Sequence, residues 1–222
     1  MFERLSRILT EEEISKIKNL NILIIGRGGV GGAAFEGLVR MGVTNITAID
    51  NDKFEESNLN RQILSNKTNI GQFKALEAKI RANNINNECL IDSRVMFLNE
   101  ENIDELEITK YDYILDCCDS LNTKILLIEY SIKYNIKIIS CMGTGNRFDP
   151  TKLVITDIWK TNNDPLAKKV RLLLRKKKIN KKIRVVTSTE TPRKSSNGVG
   201  STSLVPNWAG FFMASFVIND II

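Results

Sequence analysis

Residues 21–50 read NILIIGRGGVGGAAFEGLVRMGVTNITAID, and they decide the fold. Asn21–Ile25 is a continuous apolar run, as expected of a central parallel strand buried on both faces. Gly31–Met41 has helical spacing, with Ala34, Leu38 and Met41 on one side, and it stops at Gly42, a C-cap signal. Asn45–Ile49 is a second strand, closing on Asp50. Between the first strand and the helix lies Gly26-Arg27-Gly28-Gly29-Val30-Gly31, a GxGxxG turn. Gly26 permits the tight turn, Gly28 lets the backbone approach a phosphate, and Gly31 lets helix and strand pack closely. The helix N-terminus then favours an anion. Asp50 falls about 20 residues on, where a ribose hydroxyl would be bound. A glycine-rich turn with no ligand is the plainer alternative.

The alternation continues outward. Residues 51–70 are polar and aperiodic, and a long loop inside a domain hints at function. A helix is predicted over Gly71–Asn83, a strand over Cys89–Val95 and a short helix over Glu100–Leu106. Tyr111–Leu115 is a strand ending in Asp116, Thr123–Tyr134 a helix, and Ile136–Cys141 a strand followed by the Met142–Gly145 turn. Upstream, residues 5–20 read as an amphipathic helix, with Thr10 and Glu13 fitting a capping box at its start. After Pro150 the texture changes. Lys152–Trp159 alternates like a half-exposed strand, and Asp164-Pro165 opens a helix with Pro in its first turn. Ile183–Ser188 is a strand, residues 189–203 read as a mobile loop, and Trp208–Ile222 is a closing apolar helix. The class is α/β: a Rossmann-like, doubly wound, mainly parallel sheet with a C-terminal mixed-strand extension and a closing helix. Residues 1–150 form the nucleotide-binding part. Residues 151–222 form an extension of the same compact domain, with no internal repeat.

Composition removes whole classes of chemistry. The 222 residues include no histidine. That excludes Ser-His triads, Cys-His dyads and imidazole acid–base work. Cys89, Cys117, Cys118 and Cys141 contain no CxxC pair, so structural zinc is not expected. Cys117 and Cys118 lie in an apolar run and read as buried structural thiols. Cys141, ending a strand near the expected site, is the least implausible catalytic thiol, and a buried structural thiol is the favoured reading for it too. Residues 168–184 carry ten Lys or Arg and no acid; removing these ten from the 32 basic residues leaves 22 against 26 acidic ones. One segment therefore makes the chain basic, either as a solvated face or as a polyanion contact. The start, MFERLSRILTEEE, is too charged for a signal peptide, and no apolar run is long enough to span a bilayer. The expectation is a cytoplasmic protein without a membrane partner.

The turn and Asp50 alone point to an NAD-binding domain. The next residues argue otherwise. Asp50-Asn51-Asp52 precedes Ser57-Asn58-Leu59-Asn60-Arg61-Gln62, and then Gly71-Gln72-Phe73-Lys74-Ala75. Hydride transfer needs no Arg and Lys gathered at the phosphates. Nucleotidyl transfer does, because they neutralise charge as a carboxylate attacks the α-phosphate. The alternative is a polar surface loop.

The set GxGGxG, DxDxxxxSNLxRQ, GxxKA and DCCDS resembles the E1-like adenylating enzymes, which include ubiquitin-activating enzymes and bacterial activators of sulfur carriers. The resemblance implies roles residue by residue. The glycine turn (Gly26, Gly28, Gly29, Gly31) and Asp50, Asp52, Ser57 and Ser120 would bind ATP. Asn58, Arg61, Gln62 and Lys74 would handle its phosphates, and Asp119 would hold Mg²⁺. An N-terminal arginine, Arg7 with Arg4 second, would reach the neighbouring subunit's ATP site in a homodimer. Arg61, Lys74, Asp119 and Arg7 would be the catalytic set.

A finer resemblance covers nearly the whole chain. Gly143-Thr-Gly, Phe148-Asp149-Pro150-Thr-Lys, Val154-Ile-Thr-Asp157-Ile, Lys160-Thr and Asp164-Pro165-Leu166-Ala167-Lys168 resemble the bacterial tRNA threonylcarbamoyladenosine dehydratases. That branch activates the carboxylate of a modified adenosine with ATP and closes a ring. The implied partner is tRNA, met by Lys168, Lys169, Arg171, Arg175, Lys176, Lys177 and Lys178. Sulfur-relay proteins accompany this family and are a further candidate partner. The segment after the basic run is shorter than in the longer members, and loop 189–203 matches only loosely. Two alternatives stand beside this reading: adenylation of the C-terminal glycine of a ubiquitin-like sulfur carrier, and a nucleotide- or NAD-sensing module without chemistry.

Overall fold

The structure is a computed structural model that describes residues 3–196 and 198–222. Its elements are α1 (Glu11–Lys18), β1 (Asn21–Ile25), α2 (Gly29–Met41), β2 (Asn45–Ile49), α3 (Lys74–Ile85), β3 (Leu90–Arg94), β4 (Tyr113–Asp116), α4 (Leu121–Tyr134), β5 (Lys137–Cys141), β6 (Leu153–Asp157), α5 (Pro165–Lys176), β7 (Arg184–Ser188) and α6 (Leu204–Ile221). One seven-stranded sheet has the order β3-β2-β1-β4-β5-β7-β6. All neighbours pair in parallel except β6, which runs antiparallel to β7 at the edge.

The apolar run of β1 explains its central place. Ile22 and Ile24 point into a core formed with α1, α2 and α6, while Leu23 and Ile25 point into a second core with α4 and α5. From β1 the chain first goes to β2 on one side and later returns to β4 on the other. That reversal opens a crevice beyond the carboxyl ends of β1 and β4, the standard ligand position in such sheets. Helix α6 lies so close to α2 that a Cβ on Gly210 would sit 2.2 Å from the Val30 carbonyl.

Several expectations are corrected. The amphipathic helix starts at its expected capping box, but residues 5–9 do not belong to it: a 3-10 turn spans Leu5–Arg7, and α1 starts after Thr10. The break follows from the capping box itself. Thr10 is extended, its side chain accepts the Glu13 N–H, and the Glu13 carboxylate accepts the Thr10 N–H. The basic run is helical only to Lys176. Lys178 then turns left-handed (φ 58°), and the chain runs back to β7. The helix expected over Glu100–Leu106 is a 3-10 turn at Ile103–Leu106. The closing helix begins earlier, at Leu204, because Pro206 fits its first turn.

Candidate functional site

The carboxyl edge of the sheet holds a cleft of about 440 Å³. Three helices, α2, α3 and α4, begin at its rim, so their free N–H groups and positive dipole ends converge on it. The glycine turn forms its floor. Gly26 has φ +85°, and a Cβ there would meet the Cys117–Cys118 backbone at 2.9 Å. A Cβ on Gly31 would lie 1.8 Å from the Gly26 carbonyl. Only glycine allows strand, turn and helix to pack at this distance.

Asp50 ends β2 at the cleft wall and is buried. Its carboxylate is oriented by the Arg27 N–H and by the Asp52 N–H at 2.8 Å. Burial holds its pKa above the ordinary value, outweighing those two N–H groups and the nearby Lys74 charge. Lys74, the first residue of α3, is buried and places Nζ 2.9 Å from Asp52 Oδ2. Arg61 donates to the Ser57 carbonyl at 2.8 Å and to Asn60 Oδ1 at 2.9 Å. Both cations line the cleft with Asn58 and Gln62. The buried Gln62 Oε1 has no hydrogen-bond partner.

Asp119 and Ser120 close the opposite wall. Ser120 caps α4 through the Thr123 N–H. Asp119 is exposed to the cleft and makes no hydrogen bond or ion pair with another described residue. Beneath this wall lies a buried network. Lys124 Nζ sits 3.1 and 3.0 Å from the two Asp116 oxygens and 2.7 Å from the Cys141 carbonyl. Burial opposes its charge, but Asp116 outweighs that and holds its pKa above the usual lysine range. The network fixes the ends of β4 and β5 under the cleft.

Of the expected ATP-site residues, Ser57 and Gly31 lie outside the lining. Ser57 acts through its carbonyl on Arg61, and Gly31 through packing. Arg7 also lies outside it, exposed and paired with Glu3 at 2.6 Å. Cys117 and Cys118 are corrected from fully buried to partly exposed cleft residues, because they lie just past the end of β4. Burial nonetheless pushes both thiols up, and it pushes Cys141 up to about 12. Such thiols stay protonated at neutral pH and are poor nucleophiles.

Met96, Phe97 and Leu98 also line the cleft, beyond β3, and sequence reasoning missed them. Their signal was an apolar trio just past a strand end. The segment expected to be a mobile loop, 189–203, is hydrogen-bonded to the Asn146 turn at Gly200. Asn146 N–H donates to the Gly200 carbonyl at 2.8 Å, and the Gly200 N–H returns a bond to Asn146 Oδ1 at 2.6 Å. Ser201 from this loop and Thr144 complete the rim.

Helix α5 starts at this same sheet edge. Asp164 caps it through the Ala167 N–H and also accepts the Gly143 N–H at 3.0 Å, tying the helix to the Thr144 turn. The helix then runs away from the cleft. Of the seven expected anion-binding residues on and just after this helix, Arg171 bonds Thr161, Arg175 stacks on Trp159 and Lys177 pairs with Glu129. Lys168, Lys169, Lys176 and Lys178 are exposed and without partners among the described residues. No group of three or more Cys, Asp and Glu side chains suited to a metal occurs among the described residues. No described helix is long and apolar enough to cross a membrane.

These features define a class: a Rossmann-type nucleotide-binding domain with Arg61 and Lys74 lining the same cleft as its glycine turn. The chain belongs to the ThiF family, whose profile matches residues 2–214. The tRNA threonylcarbamoyladenosine dehydratase of Bacillus subtilis (strain 168) is 35% identical over 239 residues, covering 100% of this chain and 94% of that protein. The Haemophilus influenzae protein of the same name is 32% identical, covering 100% and 93%. A solved structure of Escherichia coli tRNA N6-threonylcarbamoyladenosine dehydratase, TcdA, in complex with ATP superposes with a TM-score of 0.92. It shares 32% identity and covers 99% of this chain and 93% of that one.

Proposed function

We propose that the protein is an ATP-dependent tRNA threonylcarbamoyladenosine dehydratase. The observation that carries this is the cleft itself, where Arg61 and Lys74 face a glycine turn and an oriented Asp50. Relatives of that name cover the full length of the chain.

The adenine lies against Met96, Phe97 and Leu98, and the ribose hydroxyls donate to Asp50. The glycine-turn amides and the helix N-termini receive the phosphates. Lys74 exchanges Asp52 for a phosphate oxygen, and Arg61 stands beside it. Asp119 fits a Mg²⁺ role, since Mg²⁺ takes one or two carboxylates and completes its shell with phosphates and water. That ion would supply charge neutralisation at the triphosphate. An oxygen of the substrate carboxylate attacks the α-phosphate, giving an acyl-adenylate and pyrophosphate. Lys74 and Arg61 stabilise the charge that develops there. An internal nucleophile of the same nucleoside then attacks the carbonyl, and AMP leaves with one carboxylate oxygen. The reaction is intramolecular, so positioning takes the place of an added base.

The active form is a homodimer. Leu204, Trp208 and Phe211 expose an apolar stripe on α6, and Arg7 lies outside its own cleft, where it would exchange its exposed Glu3 partner for the site of a second copy. The exposed lysines of α5 meet the tRNA backbone. A cytoplasmic location belongs to this reading. The test is incubation with ATP and tRNA carrying threonylcarbamoyladenosine. Loss of one water from the nucleoside, with AMP and pyrophosphate formed, is the expected result. An unchanged nucleoside would defeat the proposal.

A further inference from the structure

Phe148 stands 45% exposed at the rim of the fold. The Arg193 guanidinium lies 4.2 Å from its ring centroid. Neither residue lines the cleft or belongs to the basic helix. The pair is held from both sides. Arg147 turns inward, donating to the Ser188 carbonyl at 2.6 Å and the Asn163 carbonyl at 2.8 Å, so the next side chain, Phe148, faces out. The N–H groups of Phe148 and Asp149 both donate to the Glu190 carboxylate, at 3.1 and 3.0 Å. The Arg193 N–H donates to the Asn146 carbonyl at 2.8 Å. An exposed aromatic ring and a planar cation are thus stacked on two tethered segments. The same segments supply Thr144 and Ser201 to the cleft rim.

We infer that Phe148 and Arg193 form a stacking shelf for an unpaired RNA base next to the one that enters the cleft. This rests on the tRNA reading above. Loop RNA is recognised by splayed bases that stack on aromatic rings and guanidinium planes. A base lying against this pair would extend a ring–guanidinium–base stack and hold the neighbouring modified adenosine at the cleft mouth. Stacking accepts any base, which suits an enzyme that reads the modification through its carboxylate. The shelf adds short-range positioning to the long-range attraction of α5.

The probe is an anticodon stem-loop RNA containing threonylcarbamoyladenosine, with 2-aminopurine at the adjacent unpaired position. Stacking on wild-type protein quenches its fluorescence. Phe148→Ala and Arg193→Ala are expected to abolish the quench and raise the RNA Kd roughly 5- to 50-fold, within the range for loss of one base stack. ATP Kd stays unchanged. Arg193→Lys keeps the charge and the salt dependence of binding but loses the quench, whereas Phe148→Trp retains it. Wild-type quenching and affinity in Phe148→Ala, with RNA still converted, would overturn the shelf and leave the dehydratase reading intact. A wild-type protein that neither binds nor converts the stem-loop would overturn both.

Discussion

Two sets of cations differ in how the fold holds them. In the cleft, Lys74 is pinned to Asp52 at 2.9 Å, and Arg61 to the Ser57 carbonyl at 2.8 Å. On and just after α5, Lys168, Lys169, Lys176 and Lys178 are exposed, their side chains unpartnered among the described residues. A pinned charge acts at one point and costs no reorganisation when transition-state charge develops. A free charge attracts a polyanion from any direction, and salt weakens it. The first arrangement suits chemistry and the second suits capture.

The largest effect is expected from removing a pinned charge. Lys74→Ala is expected to lower the adenylation rate by roughly 10²- to 10³-fold, the scale for loss of one preorganised charge stabiliser. Thermal unfolding should change little. Near-wild-type turnover would show that Lys74 is only a partner for Asp52.

The support beneath the cleft comes next. Lys124→Met leaves Asp116 buried without its cation and is expected to destabilise the fold by about 3–5 kcal/mol in denaturant titration. A loss below about 1 kcal/mol, the scale of a surface pair, would mean the network is solvated.

Changing Lys168, Lys169, Lys176 and Lys178 to Gln together should weaken RNA binding and reduce the magnitude of the salt slope by roughly 3–4, while ATP affinity holds. An unaltered slope would reduce α5 to a solvated face.

The smallest effect is in pH. Burial holds the Asp50 pKa above its ordinary value. As pH falls through that raised pKa the carboxylate protonates, and the ribose hydroxyls lose their acceptor. ATP Kd should therefore rise at a higher pH than an exposed aspartate would give. The sign for stability is opposite. The folded state binds this proton more readily than the unfolded state does, so this group's contribution to stability improves as pH falls. Weaker binding without unfolding is the expected signature, and Asp50→Asn should remove this step from the pH profile of ATP binding.

What was legible in the sequence follows the same division. The strand–turn–helix unit and the polar residues from Asp50 to Lys74 lie close together in the chain, and their spacing reflects local backbone geometry. Hence β1 and β2 match their expected bounds, and Asp50, Arg61 and Lys74 meet in one cleft. The opposite wall depends on contacts between distant segments. Ser201 reaches the rim because Gly200 bonds Asn146, and no local pattern reports such a pairing. Cys117 and Cys118 looked buried because the apolar run before them is buried. Their exposure was decided by where β4 ends relative to β1. The start of α1 is legible because its capping box is local, whereas the 3-10 turn at Leu5–Arg7 shares the apolar spacing of the helix that follows.

Adenylation of a substrate carboxylate in this cleft leaves an isotopic trace. The direct test uses tRNA whose threonylcarbamoyladenosine carboxylate carries ¹⁸O, with the phosphorus products analysed by mass. Attack at the α-phosphate predicts one ¹⁸O atom in AMP and none in pyrophosphate. Label in inorganic phosphate, with ADP as the nucleotide product, would contradict the account.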